Sequence, residues 1–155
     1  MIKRMKKARS DERGFTLVEL MVVVLVIGGL MAIAIPTFMG VRARSQDTSA
    51  KSSLRNSMTS AATIYTDSSS YDDANSKALA VAEPSIKFVD APKTSNGSNT
   101  VSVRAKGDWG GAALSESGKC FFVLVKASGQ TTYGSNDKAK CAGDQAAKYA
   151  KDTQW

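Results

Sequence analysis

Residues 20–41, LMVVVLVIGGLMAIAIPTFMGV, contain no charged side chain, and their apolar positions follow neither a two-residue nor a helical period. Coiled into a helix, such a run is apolar on every face. Its 22 residues would extend roughly 33 Å, enough to cross the ~30 Å hydrocarbon of a bilayer. The pattern then changes without a stop signal. Residues 42–65, RARSQDTSAKSSLRNSMTSAATIY, lack Gly and Pro and set Leu54, Met58, Ala61 and Tyr65 at helical spacing, with Ala50, Ala62 and Ile64 widening the stripe. One continuous helix of about 75 Å is expected from Phe15 to about Tyr65, apolar in its first half and amphipathic in its second. Its many serines and threonines lower intrinsic helicity, so the second half needs a sheet against its stripe.

Residues 66–84 read as a surface connection holding a short helix near 77–82. Strand signals follow. Residues 85–89 put Ile86 and Phe88 on one face, and residues 100–106 alternate Val101, Val103 and Ala105 against Ser102, Arg104 and Lys106, which predicts half-burial. Pro92 and Asn96-Gly97 provide the turn between them. Trp109-Gly110-Gly111 reads as a flexible loop with one anchoring aromatic. Residues 119–126, KCFFVLVK, read as the central strand, and Ser128-Gly129 as the hairpin turn into a last strand near 130–133. The fold class expected is α+β, a long N-terminal α-helix packed on a small antiparallel β-sheet head. The 155 residues suggest one compact unit plus the membrane segment.

Charge gives the chain a direction. Residues 1–14 carry six basic side chains, Lys3, Arg4, Lys6, Lys7, Arg9 and Arg13, against Asp11 and Glu12, whereas only Arg42 and Arg44 lie just beyond the apolar run. That bias places the N-terminus in the cytoplasm and the remainder outside. Removing those 14 residues would leave 141 and lower the formal charge from +7 to +3, so the basic balance is no nucleic-acid signature. In residues 142–155, Lys148, Tyr149, Lys151 and Trp155 offer either a contact to DNA through charge and stacking or a solvated end with one aromatic tucked into the head.

Cys120 and Cys141 are the only cysteines, both on the outer side, where a disulfide stapling the C-terminal segment is expected; the alternative is one buried and one free thiol. With no histidine and no second cysteine pair, a metal site is disfavoured, and no cofactor is implied. No nucleophile–base pair, phosphate cradle or paired carboxylates appear, so catalysis is not expected. Asn96-Gly97-Ser98 matches an N-glycan acceptor pattern, a short match that arises readily by chance.

Glu19 sits at the start of the apolar run, where a carboxylate needs a partner. Gly28, Gly29 and Pro36 make local unwinding cheap, and serve equally as a kink or close-packing site. Composition alone allows a single-pass anchor, or a signal peptide ending at Ala32-Ile33-Ala34. The series Gly14, Phe15-Thr16-Leu17-Val18-Glu19 after a short basic leader, however, resembles the processing site of a type IV prepilin, of the pilin and pseudopilin superfamily. The resemblance implies removal of residues 1–14 by a prepilin peptidase and methylation of the new Phe15 amine. Residues 15–41 would form the membrane and filament-core helix, and 42–155 the amphipathic half-helix plus head. A Phe15 ammonium would lie one helical turn from Glu19, so the two can pair within one chain or between neighbours; the resemblance favours the neighbour's during assembly, and implies that Gly28, Gly29 and Pro36 mark a segment that melts on entering the fibre. The partners implied are further copies of the chain, the peptidase and the assembly machinery. The protein would be held in the membrane first and in an extracellular pilus afterwards. The rivals are a pseudopilin of a type II secretion system and a monomeric membrane-anchored binding protein.

Overall fold

The computed structural model describes residues 14–137 and 140–155; residues 1–13 of the expected leader lie outside the described residues. Helix α1 spans Leu17–Ser68, 52 residues with Pro36 inside it. Its apolar portion belongs to a unit ending at Met39, and the head is a second unit, Gly40–Trp155.

In the head, α1 buries Ala50, Ser53, Leu54, Ser57 and Ala61. Met58, Ile64 and Tyr65 pack at the margin of the same core, while Ala62, expected in the stripe, is exposed. The buried Ser57 hydroxyl donates to the Ser53 carbonyl at 2.6 Å, so Ser57 enters the apolar interface without an unmet donor. Beyond α1, a 3-10 turn at Tyr71–Asp73 precedes α2, Ser76–Ala82, whose first turn is capped by Asn75 accepting from Lys77 and Ala78 N–H. The Tyr71 ring stacks on Tyr65 with centroids 4.4 Å apart, and burial, with Tyr65 nearby, raises the Tyr71 phenol above its ordinary pKa.

The sheet has five strands in sequential order, β1 Lys87–Asp90, β2 Thr100–Lys106, β3 Asp108–Leu114, β4 Cys120–Val125 and β5 Thr131–Asn136. Three expectations change. First, β1 runs parallel to β2, although the other pairs are antiparallel as expected. A parallel return usually needs a long crossover, but β1 is only four residues long and the short connection reaches back along it. Second, Trp109-Gly110-Gly111 is no loop: it lies in β3, the middle strand, so the 119–126 stretch forms the neighbouring β4 and not the centre. Third, Ser102 is fully buried, because the sheet is covered on both faces.

The helix-side core joins Ala50, Leu54 and Ala61 to Val101, Val103, Trp109, Ala113, Phe121, Val123 and Val125. On the opposite face Ala112, Cys120, Phe122 and Leu124 meet Cys141, Ala146 and Ala150 of the C-terminal segment, which folds as a 3-10 turn Gly143–Gln145 and α3 Ala146–Tyr149. A strand buried on both faces reads as an unbroken apolar run, which is why β4 reads CFFVLV. At the β4–β5 hairpin, Gly129 takes φ +86°, a left-handed conformation that costs glycine nothing.

Close backbone contact joins the C-terminal segment to the sheet. A Cβ on Gly143 would lie 2.7 Å from the Arg104 nitrogen and the Gly110 oxygen, and one on Gly110 would lie 2.6 Å from the Gly143 oxygen. Ser102 completes the joint, accepting the Gly143 N–H at 3.0 Å. The Cys120–Cys141 disulfide forms with Cα atoms 5.6 Å apart, and it ties the start of β4 to the residue entering this segment. Reduction should lower the stability of the head by about 3 kcal/mol, from the entropy of the loop it closes. Urea unfolding with and without reductant measures the difference.

Candidate processing and assembly site

The N-terminal site is built from a helix start. Thr16 is the N-cap of α1 and Glu19 its third residue, and the two side chains reciprocate. Glu19 Oε2 accepts from the Thr16 backbone N–H at 3.0 Å and from the Thr16 hydroxyl at 2.8 Å, while the Glu19 N–H donates to the same hydroxyl at 3.2 Å. This is a capping box, which satisfies orphan donors of the first turn and places the negative group at the positive end of the helix dipole. The first intrahelical bond, Leu20 N–H to the Thr16 carbonyl at 3.2 Å, follows from it.

Glu19 therefore has a partner within its own chain. The partner expected from the sequence was the Phe15 ammonium, whereas the one observed is Thr16. The signal was present as Thr-x-x-Glu directly before an apolar run. Both contacts from Thr16 go to the single Oε2 atom. Phe15 is 88 % exposed and, with Gly14, lies outside any regular element, so the expected cleavage bond is open to approach.

Behind the cap, every residue from 17 to 41 is exposed in the single chain. The most apolar window of α1 has a mean hydropathy of 2.7 with none of it buried, so this helix is long and apolar enough to cross a membrane. A Cβ added at Gly28 or Gly29 would meet nothing within 4 Å beyond the helix's own backbone, and helical geometry continues through them and through Pro36. Pro36 has no N–H to give the Ala32 carbonyl, and the neighbouring Thr37 hydroxyl turns to the next two carbonyls. The Thr37 hydroxyl donates to the Ala34 carbonyl at 2.9 Å and lies 3.2 Å from that of Ile33.

The tail aromatics are occupied. Trp155 packs edge-on to Tyr133 and Phe121, lies under the Arg55 guanidinium 5.1 Å from its centroid, and donates its indole N–H to the Phe122 carbonyl at 3.1 Å. Tyr149 stacks on Phe122. Of the two expectations for residues 142–155, the tucked aromatic is the one observed, and these rings are engaged in packing. Among the described residues no group of three or more His, Cys, Asp or Glu could hold a metal ion.

Residues 9–35 match the family described as the prokaryotic N-terminal methylation motif, a span that encloses Gly14, Phe15, Thr16, Glu19, Gly28 and Gly29. The chain is 41% identical over 70 residues to the type IV major pilin protein PilA of Myxococcus xanthus (strain DK1622), covering 45% of this chain and 32% of that one. It is 29% identical over 99 residues to the type IV major pilin protein PilE1 of Neisseria gonorrhoeae, covering 62% and 55%. It is 58% identical over 38 residues to the type IV major fimbrial protein FimA of Dichelobacter nodosus, 24% of each chain. The matches thus span from about a quarter to about half the length of these relatives. No solved structure matches. The N-terminal helix thus carries the methylation motif, and over part of its length the chain is similar to type IV major pilins and fimbrial proteins.

Proposed function

We propose that this chain is a structural subunit of an extracellular type IV pilus. It is held in the membrane by the first part of α1, cut between Gly14 and Phe15 by a prepilin peptidase, methylated at Phe15, and polymerised through that helix by an assembly machine. The observation that carries this reading is an apolar helix, bare on every face, that begins at a capped carboxylate within the methylation motif. An apolar helix leaving lipid loses little if identical helices replace the lipid around it, which makes a bundle of copies its natural destination.

Cutting after Gly14 frees an ammonium at Phe15, and Glu19 Oε1 is the acceptor available to one from a neighbouring copy. Such a pair would fix the axial register of each incoming subunit, since a buried charge without its partner is costly. Gly28, Gly29 and Pro36 supply the weak point at which the helix can extend inside the fibre. The head contributes a covering of the core rather than chemistry. Its disulfide-bounded residues 120–141 favour a pilin over a pseudopilin, because they give the head a stapled outer segment. Electron microscopy of sheared surface fibres tests this: fibres composed of this chain at normal expression support the pilin, and their absence from cells that make the processed chain contradicts it.

A further inference from the structure

The connection between β1 and β2 contains the only Asn-Gly pair in the sequence, Asn96-Gly97. Asn96 is exposed, but the residue before it is an anchor. Ser95, 3 % exposed, donates its backbone N–H to the Cys141 carbonyl at 2.8 Å. Its hydroxyl accepts the Leu114 N–H at 2.8 Å and donates to the Thr100 carbonyl at 2.6 Å, with the Gly97 carbonyl at 3.1 Å. The Thr100 N–H closes the turn onto the Gly97 carbonyl at 3.0 Å. Gly97 is thus held through its oxygen, while its own N–H makes no hydrogen bond to any described residue.

Nothing in the turn requires glycine there. A Cβ on Gly97 would meet no atom within 4 Å, and Gly97 is not among the glycines with positive φ. What the missing side chain does provide is an unshielded amide nitrogen beside an exposed carboxamide. The other asparagines differ. The Asn99 Nδ2 donates to the Ser85 carbonyl at 2.9 Å and is followed by a β-branched threonine; the Asn75 Oδ1 caps α2; Asn56 lies within α1; and Asn136 lies in β5, followed by aspartate.

We propose that Asn96-Gly97 is a self-modifying site that converts to aspartate and isoaspartate through a cyclic imide. The Gly97 nitrogen attacks the Asn96 side-chain carbonyl carbon; the new N–Cγ bond forms, the Cγ–Nδ2 bond breaks, and ammonia leaves with the proton that Gly97 gives up. Water then opens the ring. Addition at Cγ gives aspartate, and addition at the main-chain carbonyl gives isoaspartate, whose backbone runs through Cβ. One water is consumed and one ammonia released, with no oxidant, enzyme or cofactor.

Either product makes the surface one charge more negative. Isoaspartate also adds a methylene to the main chain immediately before the carbonyl that Ser95 and Thr100 hold, and so slackens the turn that ties Leu114 of β3 and Cys141 of the disulfide to β2. In a fibre, as proposed above, subunits would gain this mark with age; the chemistry itself does not depend on that reading.

The test is incubation of the full-length, detergent-solubilised chain in mildly alkaline buffer, followed by fragmentation mass spectrometry of tryptic peptide 94–104, which lies between Lys93 and Arg104. The deamidation mass gain should accumulate at Asn96 and not at Asn99, part of it as isoaspartate, and Gly97→Ala should slow it several-fold in a head that still folds. An unchanged Asn96, equal conversion at Asn99, a carbohydrate mass on Asn96, or wild-type kinetics in Gly97→Ala would each overturn the proposal.

Discussion

Replacing Glu19 with alanine should leave cleavage after Gly14 intact and reduce the yield of sheared fibres on the order of a hundredfold, as for a desolvated charge stripped of its partner. The peptidase site precedes the helix, whereas the lost carboxylate is the group that would receive a neighbour's Phe15 ammonium in the bundle. Thr16→Ala offers the control. It removes the hydroxyl that bonds Glu19 in both directions, an N-cap loss of about 1 kcal/mol, but keeps the carboxylate itself. Fibre yield should therefore fall far less in Thr16→Ala than in Glu19→Ala. Immunoblots for leader removal, read beside the mass of sheared fibre, separate the two steps. Normal yield from a processed Glu19→Ala chain would contradict the charge pairing.

Trp109→Ala should destabilise the head by about 3–5 kcal/mol, the cost of emptying a fully buried aromatic site. Trp109, on the middle strand, is completely buried in the core on the α1 side of the sheet, and its ring lies so close to Gly111 that a Cβ there would sit 2.8 Å from the indole. Its indole nitrogen has no hydrogen-bond partner among the described residues, so Trp109→Phe, which removes that polar atom and keeps much of the volume, should cost clearly less. Urea unfolding of the detergent-solubilised chain, followed by circular dichroism, measures both. Equal losses for the two variants would show that the indole volume is not what holds the face.

Trp109 also shows where the sequence was hard to read. The strand DWGGAAL lacks the β-branched alternation that marks β2, and glycines in pairs ordinarily signal a turn. Those small residues are needed because α1 with Leu54 presses on one face and Gly143 on the other, a two-sided contact that no local pattern encodes. Ser102 misled for the same reason: alternation predicts an outer face, but the C-terminal segment covers it and supplies the Gly143 N–H as a partner. The parallel β1 was likewise hidden, since strand direction depends on how a loop returns. By contrast, the apolar run and the helical stripe through Leu54 were plain, because both are local periodicities. In the N-terminal site, Gly14, Phe15 and Glu19 were legible as a motif. Thr16 was missed because the search was for a charged partner, whereas the first turn of a helix satisfies a carboxylate with N–H and O–H donors.

In the function proposed, the bare apolar helix becomes the core of a polymer only once residues 1–14 have been removed. Mass spectrometry of the N-terminal peptide from surface fibres reads this directly. The peptide should begin at Phe15 and carry one methyl group on its amine; fibres whose subunits retain Met1, or a chain found only intact and solitary in the membrane, would contradict it.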